Sequence, residues 1–488
     1  MKIKETFDLA FQNHKKNNFL VAEKLYKEIL KKQSNHYEAI FYLGTLSMQE
    51  EKFDKAKSWY EKAIKIKPNL PNAHNNLGIV FQKLGHFEKA KKCYKEAIKV
   101  NQNYPDAHNN HGALLQHLGD LEAAIVSYEK ALKINPNYVS ACNNLANVFN
   151  EIGDYKKAID CCNKVIKINP NYSAAYNNLG NAFKKLKDNK NALASYLKAI
   201  DINPNYLSAY NNLGKLFRDL GKPNEAKKYF EKINTSSARG EHLECIYFSD
   251  SLNEYEKTLK KLVSVDPLNL RVATIATYVS KKENIKNIYP FCKQPLDFIF
   301  IKNIKNQLSL TSQFLENLLI KVNQVNSVWE PNSYATKGGF QTMGNLFNQN
   351  DSEILKLKTI VEEQILQYKD TYKVCEDFFI KKWPIKTKFH GWHVKLLKQG
   401  HQKSHIHPEG WLSGVFYLQV PKLLNENEGS IEFTLYGYDY PNHKNLPNYI
   451  HKPKIFDLVL FPSSLFHRTI PFSAKEERQS IAFDLIPE

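Results

Sequence analysis

The fold of the N-terminal half is decided by a 34-residue unit, seen in full at residues 71–104 as PNAHNNLGIVFQKLGHFEKAKKCYKEAIKVNQNY. Its Leu-Gly pair, or a close variant, recurs at the same 34-residue spacing along the chain. The copies are Leu43-Gly44, Leu77-Gly78, His111-Gly112, Leu145-Ala146, Leu179-Gly180 and Leu213-Gly214, after a degenerate copy at Leu9-Ala10. A fixed period of this length predicts stacked supersecondary units rather than one compact core.

Two further positions repeat in phase with Leu-Gly. An alanine follows each glycine position by 12 residues, and an aromatic residue or cysteine follows that alanine by four. The two series are Ala22, Ala56, Ala90, Ala124, Ala158, Ala192, Ala226 and Tyr26, Tyr60, Tyr94, Tyr128, Cys162, Tyr196, Phe230. Small residues allow two antiparallel helices to cross closely, and the aromatic ring is expected to fill the groove between repeats. Proline ends four of the units, at Pro68, Pro136, Pro170 and Pro204.

This pattern resembles the tetratricopeptide repeat, a 34-residue helix-turn-helix, over residues 3–236 in seven copies. The resemblance implies an all-α, right-handed superhelical trough, and troughs of this kind bind peptides or proteins. Each repeat leaves an apolar face that only the next repeat covers. We therefore expect a protein or peptide partner for the N-terminal array.

A doubled asparagine stands directly before Leu-Gly or its variant in five of the repeats. Asparagine is a mediocre helix former, so this regular recurrence needs a reason. We call this row of side chains the asparagine ladder. The repeat array of O-GlcNAc transferase carries a similar row of asparagines, which binds the backbone amides of peptides. This similarity implies peptide binding by Asn76, Asn110, Asn144, Asn178 and Asn212. The alternative is that these side chains join neighbouring repeats. The C-terminal half lacks the two nucleotide-binding halves of that transferase, so the resemblance ends at the scaffold.

Composition and charge exclude several classes of function. The chain has 488 residues and a net charge of +18, but only five of its 68 basic residues are arginine. Specific recognition of phosphates and bases relies on arginine, so a solvated lysine surface is favoured over a nucleic-acid site. No apolar run approaches the ~18 residues of a membrane span. The start of the chain lacks the pattern of a secretory signal, and the seven cysteines form no disulfide-like framework. We expect a cytoplasmic protein without a membrane partner.

The remaining chain divides into two parts. Residues 237–290 lose the repeat phase but keep helical patterning at Glu254–Val263 and Leu268–Lys281, which predicts a helical cap or connector with a polar outer face. Residues 291–488 change to alternating apolar and polar positions, which predicts a β-barrel or sandwich with helical support. The expected strands are Thr387–Leu397, Leu412–Val420, Gly429–Gly437, Phe456–Phe461 and Arg478–Ile486, preceded by a helix at Asp351–Tyr372. The predicted fold class is therefore α + β multidomain.

The β region contains an ordered set of chemically active side chains. His405 and His407 are two residues apart, so at a strand edge both imidazoles point to the same side. His467 comes 60 residues after His407, and Arg478 comes 11 residues after His467. On a strand, Arg478 and Ser480 share one face. Five other histidines of this region are expected to be structural, namely His390, His393, His401, His443 and His451.

This order resembles the double-stranded β-helix (jelly-roll) oxygenases that use Fe(II) and 2-oxoglutarate. Most of residues 293–488 resemble a family of such oxygenases that is often found behind tetratricopeptide repeats. The segments that carry the resemblance are Trp329-Glu-Pro331, Gly338-Gly-Phe-Gln-Thr342, Gly344-Asn-Leu-Phe347, His405-Ile-His-Pro408, Leu412-Ser-Gly-Val-Phe-Tyr-Leu418 and Phe461-Pro-Ser463. The resemblance implies His405 and His467 as iron ligands. It also implies that Arg478 pairs with the distal carboxylate of 2-oxoglutarate and that Ser480 adds a hydrogen bond. The implied reaction consumes O2, releases succinate and CO2, and hydroxylates a substrate.

Two features depart from the family pattern. The usual facial triad has a carboxylate where this chain has His407, so three roles stay open: His407 as a ligand, His407 as a supporting residue, or Glu409 as its substitute. Phe456-Asp457 stands where the family has Gly-Asp in a turn.

Two other functions also stay open at this point. One is a cupin-like metal protein of different chemistry, whose signature also begins with His-x-His but does not predict Arg478. The other is a non-catalytic scaffold in which only the repeats act.

Overall fold

The computed structural model describes residues 2–305, 312–331, 334–422, 425–437, 440–443 and 446–488. It forms two compact units, which are described separately. The first contains the residues up to Asn150 together with Lys156–Asn178, and the second contains Glu151–Tyr155 with Leu179–Glu488. The division of the chain into a repeat array (residues 3–236), a helical connector (237–290) and a β domain (291–488) stays a prediction.

Seven helical hairpins occupy the region in which the period predicts repeats. Their helices are α1 Ile3–Lys15, α2 Phe19–Lys32, α3 Tyr37–Gln49, α4 Phe53–Ile66, α5 Pro71–Lys83, α6 Phe87–Val100, α7 Pro105–His117, α8 Leu121–Ile134, α9 Val139–Ile152, α10 Tyr155–Ile168, α11 Ser173–Lys185, α12 Asn189–Ile202, α13 Leu207–Asp219 and α14 Pro223–Phe230. Proline begins α5 and α7, where its missing N–H leaves no unsatisfied donor. Glycine follows α5 and α7 at positive φ, at Gly85 (76°) and Gly119 (81°), and ends both helices. The predicted helix-turn-helix repeats are confirmed.

The glycine and aromatic positions of the repeat meet inside the five hairpins that carry both residues. A Cβ atom added to Gly44 would lie 2.8 Å from the ring of Tyr60, and one added to Gly78 would lie 2.6 Å from the ring of Tyr94. Each ring therefore packs against the glycine of its own repeat. The Tyr60 hydroxyl also accepts a hydrogen bond of 3.2 Å from Asn76 in the next repeat. The aromatic residue thus closes its own hairpin and contacts the following one.

Three helices follow the last hairpin in the second unit. They are α15 Ser236–Tyr247, α16 Leu252–Val265 and α17 Leu270–Lys282. The two predicted connector helices are present, and α15 was not predicted. The expected polar outer face is wrong for α17, because every residue from Leu270 to Ser280 is buried in a core shared with the strands. The Thr274 hydroxyl donates to the Ser464 carbonyl at 2.7 Å, so α17 is bonded directly to the β fold.

The rest of the second unit is an antiparallel β fold supported by helices. Its strands are β1 Phe300–Asn303, β2 Ser327–Trp329, β3 Thr336–Thr342, β4 Thr387–Gln402, β5 Leu412–Gln419, β6 Ile431–Thr434, β7 Asn448–His451, β8 Asp457–Pro462, β9 Phe466–Thr469 and β10 Arg478–Pro487. Its helices are α18 Ser312–Gln324, α19 Ser352–Thr371 and α20 Phe378–Lys381. The order in the larger sheet is β1-β8-β5-β10-β4-β3-β2, and that in the smaller sheet is β7-β6-β9. All five predicted strands and the predicted helix at α19 are present, and the jelly-roll-like fold class is confirmed.

Strand β10 lies at the centre of the larger sheet and has two different faces. It pairs with β4 and β5, which place Ser480 opposite Val394 and Tyr417, and Asp484 opposite Ser413. The odd-numbered residue Gln479 points the other way and bonds to Asn323 of α18. The even-numbered face therefore points away from the supporting helix and carries the polar side chains of the candidate site.

Two expectations about the whole chain have structural counterparts. All seven cysteines are free thiols. Within the described residues, no helix combines the length and the apolar character needed to cross a membrane.

Candidate metal centre and anion pocket

Three histidines from two distant segments of the sequence come together at the edge of the smaller sheet. His405 and His467 form a two-way backbone pair, in which each N–H donates to the other carbonyl at 3.1 Å. The His407 N–H donates to the Ser463 carbonyl at 3.0 Å, which brings the second imidazole beside the other two. One ligand atom from each ring lies within 4.8 Å of the others. The structure therefore brings together all three histidines that the sequence singles out as candidate metal ligands.

The hydrogen bonds of the three rings set the direction of their lone pairs. Nδ1 of His405 donates to the Lys403 carbonyl at 2.7 Å, and Nδ1 of His467 donates to the Leu465 carbonyl at 3.2 Å. Nδ1 of His407 donates to Oδ2 of Asp484 at 2.7 Å. Because each Nδ1 carries its proton, each Nε2 keeps a lone pair for a metal ion. Nε2 of His407 is buried and has no hydrogen-bond partner among the described residues.

Burial keeps two of these imidazoles in the form that binds metals. Burial, aided by the neighbouring His407, lowers the pKa of His405 to about 3. Burial and the two adjacent imidazoles also hold the pKa of His467 well below its usual value. Metal ions bind the neutral imidazole, so no proton has to be removed from these rings at neutral pH.

The structure shows where the two candidate ligands at this position, His407 and Glu409, lie relative to the cluster. Glu409 is exposed and is not part of the three-residue cluster. His407 is in that cluster, and its ring stacks on Trp392 with a centroid distance of 5.5 Å and an interplanar angle of 21°. The candidate donor set is therefore three imidazole nitrogens without a carboxylate, and imidazole suits iron among several transition metals.

Arg478 is buried in the β fold with only 1% of its surface exposed. Its Nε donates to the Gly429 carbonyl at 3.1 Å, and its Nη2 donates to the Tyr417 hydroxyl at 3.1 Å. Nη1 is buried without a partner among the described residues. Burial lowers the pKa of this guanidinium, and the neighbouring Tyr417 opposes the shift. A buried cation with a free donor and no paired carboxylate is a ready site for an anion.

Arg478, Ser480 and Asp484 share one face of β10. Ser480 is buried beside Tyr417, the residue that holds Arg478. Asp484 accepts a hydrogen bond from His407. The Cα atoms of Asp484 and Arg478 are six residues apart on an extended strand, which is about 20 Å. The strand thus links the candidate anion pocket to the candidate metal centre, with Ser480 between them.

Sequence reasoning missed Asp484 and the supporting role of Tyr417. The available signal was parity, because Asp484 is an even-numbered residue on the same strand as Arg478 and Ser480.

The structure also accounts for Phe456, which takes the place of the family's turn glycine. Phe456 adopts a φ of 70°, the left-handed conformation that glycine adopts easily, so the turn shape is retained. Asp457 then accepts a hydrogen bond from the Lys454 N–H at 2.8 Å.

The histidines expected to be structural have protein partners where their bonds are described. Nε2 of His393 bonds to Oε1 of Gln479 at 3.0 Å, and Nε2 of His451 bonds to Oδ2 of Asp457 at 3.0 Å. The three-histidine cluster contains no other histidine of the described chain.

The asparagine ladder is bonded mainly to itself. Nδ2 of Asn110 donates to Oδ1 of Asn75 in the previous repeat at 3.0 Å, and Nδ2 of Asn144 donates to Oδ1 of Asn109 at 3.1 Å. Asn178 makes the same bond to Oδ1 of Asn143 at 3.0 Å, whereas Asn76 bonds to Tyr60 and Asn212 bonds to Asn181. These contacts match the alternative in which the side chains join neighbouring repeats. Peptide binding by the same asparagines stays a proposal.

We expect Asn110→Ala to destabilise the array. The change removes the bond to Asn75 and leaves the amide of Asn109 without its acceptor, Oδ1 of Asn110. Loss of buried hydrogen bonds of this kind costs about 1–2 kcal/mol in the free energy of unfolding, which urea denaturation measures. Asn72→Ala is the control, because Asn72 is an exposed residue of the same kind of helix. Equal stability of the two variants would show that the ladder does not hold the repeats together.

Comparison with known families agrees with both halves of the fold. Residues 390–484 match the family described as "Putative 2OG-Fe(II) oxygenase". Tetratricopeptide repeat models match residues 44–85, 71–104, 117–153, 139–172, 161–194, 180–221 and 207–237. The chain therefore carries tetratricopeptide repeats followed by a domain that matches this oxygenase family. No curated protein matches the chain at a significant level.

Several solved structures are similar to the helical half. A tetratricopeptide repeat protein from Parabacteroides merdae shares 20% identity, covers 50% of this chain and 98% of its own, and has a TM-score of 0.43. YrrB, described as a tetratricopeptide protein with an unusual peptide-binding site, shares 20% identity over 38% of this chain and 95% of its own, with a TM-score of 0.33. MamA from Desulfovibrio magneticus shares 25% identity over 33% of this chain and 92% of its own, with a TM-score of 0.31.

Proposed function

We propose that this chain is a 2-oxoglutarate and Fe(II)-dependent oxygenase that hydroxylates a protein or peptide substrate bound through its repeats. The observation that carries the proposal is the buried guanidinium of Arg478, whose Nη1 has no partner among the described residues, on the same strand as Asp484, which orients His407 of the three-imidazole cluster. The family match over residues 390–484 supports the same reading.

The unsatisfied atoms of the site fit the two absent groups. Nε2 of His407 is a buried lone pair aimed at the cluster, and with His405 and His467 it would hold the iron. Nη1 of Arg478 is a buried donor that would bind the distal carboxylate of 2-oxoglutarate. With both bound, Fe(II) would supply the oxidising chemistry that converts 2-oxoglutarate, O2 and a substrate C–H group to succinate, CO2 and the hydroxylated substrate.

The protein's own groups perform binding and orientation. The Gly429 carbonyl and the Tyr417 hydroxyl fix two edges of the Arg478 guanidinium, so its remaining N–H groups face a carboxylate in a set direction. Ser480 would add a hydroxyl hydrogen bond to the same carboxylate. The hydroxyl of Ser430, next to Gly429, is a further buried group that has no hydrogen-bond partner in the described part of the chain and would be available to a polar ligand. Burial strengthens these interactions because it excludes water.

The repeats supply the argument for a protein or peptide substrate. Each side-chain amide of the ladder donates one N–H to the neighbouring repeat. An amide nitrogen has two N–H groups. The second N–H of Asn76, Asn110, Asn144 and Asn178 would be available to a main-chain carbonyl of a bound peptide, and Asn212 continues the same row of side chains. The scarcity of arginine argues against a nucleic-acid substrate. Free thiols throughout are compatible with a cytoplasmic protein.

One observation favours a second candidate, a cupin-like metalloprotein of other chemistry. The three-imidazole set without a carboxylate does not by itself require 2-oxoglutarate. Arg478 distinguishes the two, because a metal site of other chemistry gives no reason for a buried guanidinium without a counter-ion.

An anaerobic titration of the intact protein with Fe(II) and then 2-oxoglutarate tests the proposal. We expect a visible metal-to-ligand absorption band that requires both additions, and 2-oxoglutarate-dependent release of succinate when O2 is admitted. Iron binding without the band would favour the cupin-like alternative. Absence of iron binding would leave the non-catalytic scaffold.

A further inference from the structure

Asp484 is a buried carboxylate directly behind the candidate metal centre. Its Oδ2 accepts a hydrogen bond of 2.7 Å from Nδ1 of His407, and only 8% of the residue is exposed. His407 is the ring that occupies the position where the resembling oxygenases place a carboxylate ligand. The carboxylate is therefore not missing from this site but lies one imidazole further from the metal position.

Two serines hold the Asp484 carboxylate in place. The Ser413 hydroxyl donates to Oδ1 of Asp484 at 2.6 Å, and the hydroxyls of Ser413 and Ser463 are 2.8 Å apart. The backbone at Gly410 also closes over this group, because a Cβ atom there would lie 2.7 Å from the Ser463 hydroxyl and 3.2 Å from Cγ of Asp484. Both carboxylate oxygens are thus satisfied, and the carboxylate has little freedom to turn towards the metal position.

No cationic side chain among the described residues compensates the charge of the Asp484 carboxylate. Among the described residues no lysine or arginine pairs with it, and its imidazole partner His407 would be a cation only if protonated. The cross-strand neighbour His390 is held neutral, since burial lowers its pKa. A buried carboxylate without a cation is costly, and a divalent metal on the far side of the His407 ring would compensate it.

We propose that Asp484 is the positioning carboxylate of this metal centre: it fixes the tautomer of His407 and supplies negative charge to the metal through that ring. This inference rests on the proposed function only in that the cluster binds a metal ion. Hydrogen bonding to a carboxylate raises the basicity of an imidazole ligand, so the third histidine approaches the charge of the usual acidic ligand. The site then needs no carboxylate bonded to the metal.

The test uses Co(II) titration of the intact apoprotein, followed by visible absorption. Asp484→Asn keeps the shape and still accepts from His407 but removes the charge, whereas Asp484→Ala removes both. We expect Co(II) affinity to fall about tenfold in Asp484→Asn and about 100-fold in Asp484→Ala, with a shifted absorption spectrum in both. Asp457→Asn is the matched control, because Asp457 bonds to His451 in the same fold but outside the cluster. It should keep wild-type Co(II) affinity and spectrum.

A double-mutant cycle separates action through His407 from general support of the fold. In a His407→Ala background, Asp484→Ala should cause no further loss of Co(II) affinity. Wild-type affinity and spectrum in both Asp484 variants would overturn the inference, as would an undiminished loss in the His407→Ala background. Failure of wild-type protein to bind Co(II) would also overturn it. Normal Co(II) results without the 2-oxoglutarate-dependent band would instead refute the oxygenase proposal and leave the role of Asp484 standing.

Discussion

Replacing His467 with alanine is expected to abolish iron binding and 2-oxoglutarate turnover while leaving the β fold intact. His467 contributes one of three imidazoles whose ligand atoms lie within 4.8 Å of one another, and burial keeps its ring neutral. Loss of a group that only supports a ligand costs about 10–100-fold in metal affinity, so loss of the ligand itself should exceed about 100-fold. Fe(II) affinity, measured anaerobically, and succinate release are the two readouts.

A folding defect must be distinguished from loss of a ligand in this experiment. The backbone of His467 pairs with that of His405, and these hydrogen bonds do not involve the side chain. His467→Gln keeps a polar side chain in the buried position and serves as the second variant. His451→Ala is the control, since its imidazole bonds to Asp457 and lies outside the cluster. Iron binding by both His467 variants at wild-type affinity would contradict the assignment.

The helical half was predictable because its information is local and repeated. The 34-residue spacing of Leu-Gly, alanine and the aromatic residue specifies each hairpin, and seven hairpins are present. The role of the asparagine pairs was less accessible. The bond from Asn110 to Asn75 joins residues 35 apart, and sequence alone does not reveal whether an amide faces its neighbour or a ligand.

The connector shows where periodicity misleads. Helix α17 carries Thr274, Thr277 and Ser280, which suggest a polar face, yet all three are buried. The hydroxyls of Thr274 and Ser280 bond to backbone carbonyls, so polar residues are satisfied inside the core. The Ser464 carbonyl that accepts from Thr274 is 190 residues away, and no local pattern predicts such a partner.

In the β half, β4, β5, β6, β8 and β10 were predicted, whereas four of the other five described strands have no more than four residues. Strand β9 has four residues, Phe466–Thr469, and owes its structure to pairing with β6 and to the bridge between His467 and His405. The three histidines could be proposed from their order. Parity could place Asp484 on the same strand face as Arg478 and Ser480, but its bond to His407 could not be predicted, because that bond spans 77 residues and depends on a sheet register that only the fold determines.

Replacing Arg478 with methionine is expected to remove 2-oxoglutarate binding while leaving metal binding unchanged. The guanidinium is buried with one unpartnered nitrogen, and the proposed role gives it one carboxylate to bind. Truncating one partner of a buried, hydrogen-bonded charge pair costs about 2–5 kcal/mol, which corresponds to a loss of affinity between ~30-fold and several thousand-fold. The visible band should require correspondingly more 2-oxoglutarate, whereas Co(II) affinity should stay at the wild-type value.

In Arg478→Met, stability is expected to change in the opposite direction from 2-oxoglutarate affinity. A loss of affinity without a loss of stability is specific to a ligand-binding residue. Without its anion, the Arg478 guanidinium is a buried charge whose partners among the described residues are the Gly429 carbonyl and the hydroxyl and ring of Tyr417. Methionine has a similar length and no charge to desolvate, and replacing buried charges with apolar groups is often neutral or stabilising. We therefore expect the apoprotein to keep or raise its melting temperature in Arg478→Met. Arg468→Met is the comparison for a structural arginine: it removes the ion-pair partner of the buried Glu432 carboxylate and should lower the melting temperature. If Arg478 were structural, the same substitution would lower the melting temperature and leave 2-oxoglutarate affinity unchanged, because a residue that only supports the fold has no reason to bind a dicarboxylate.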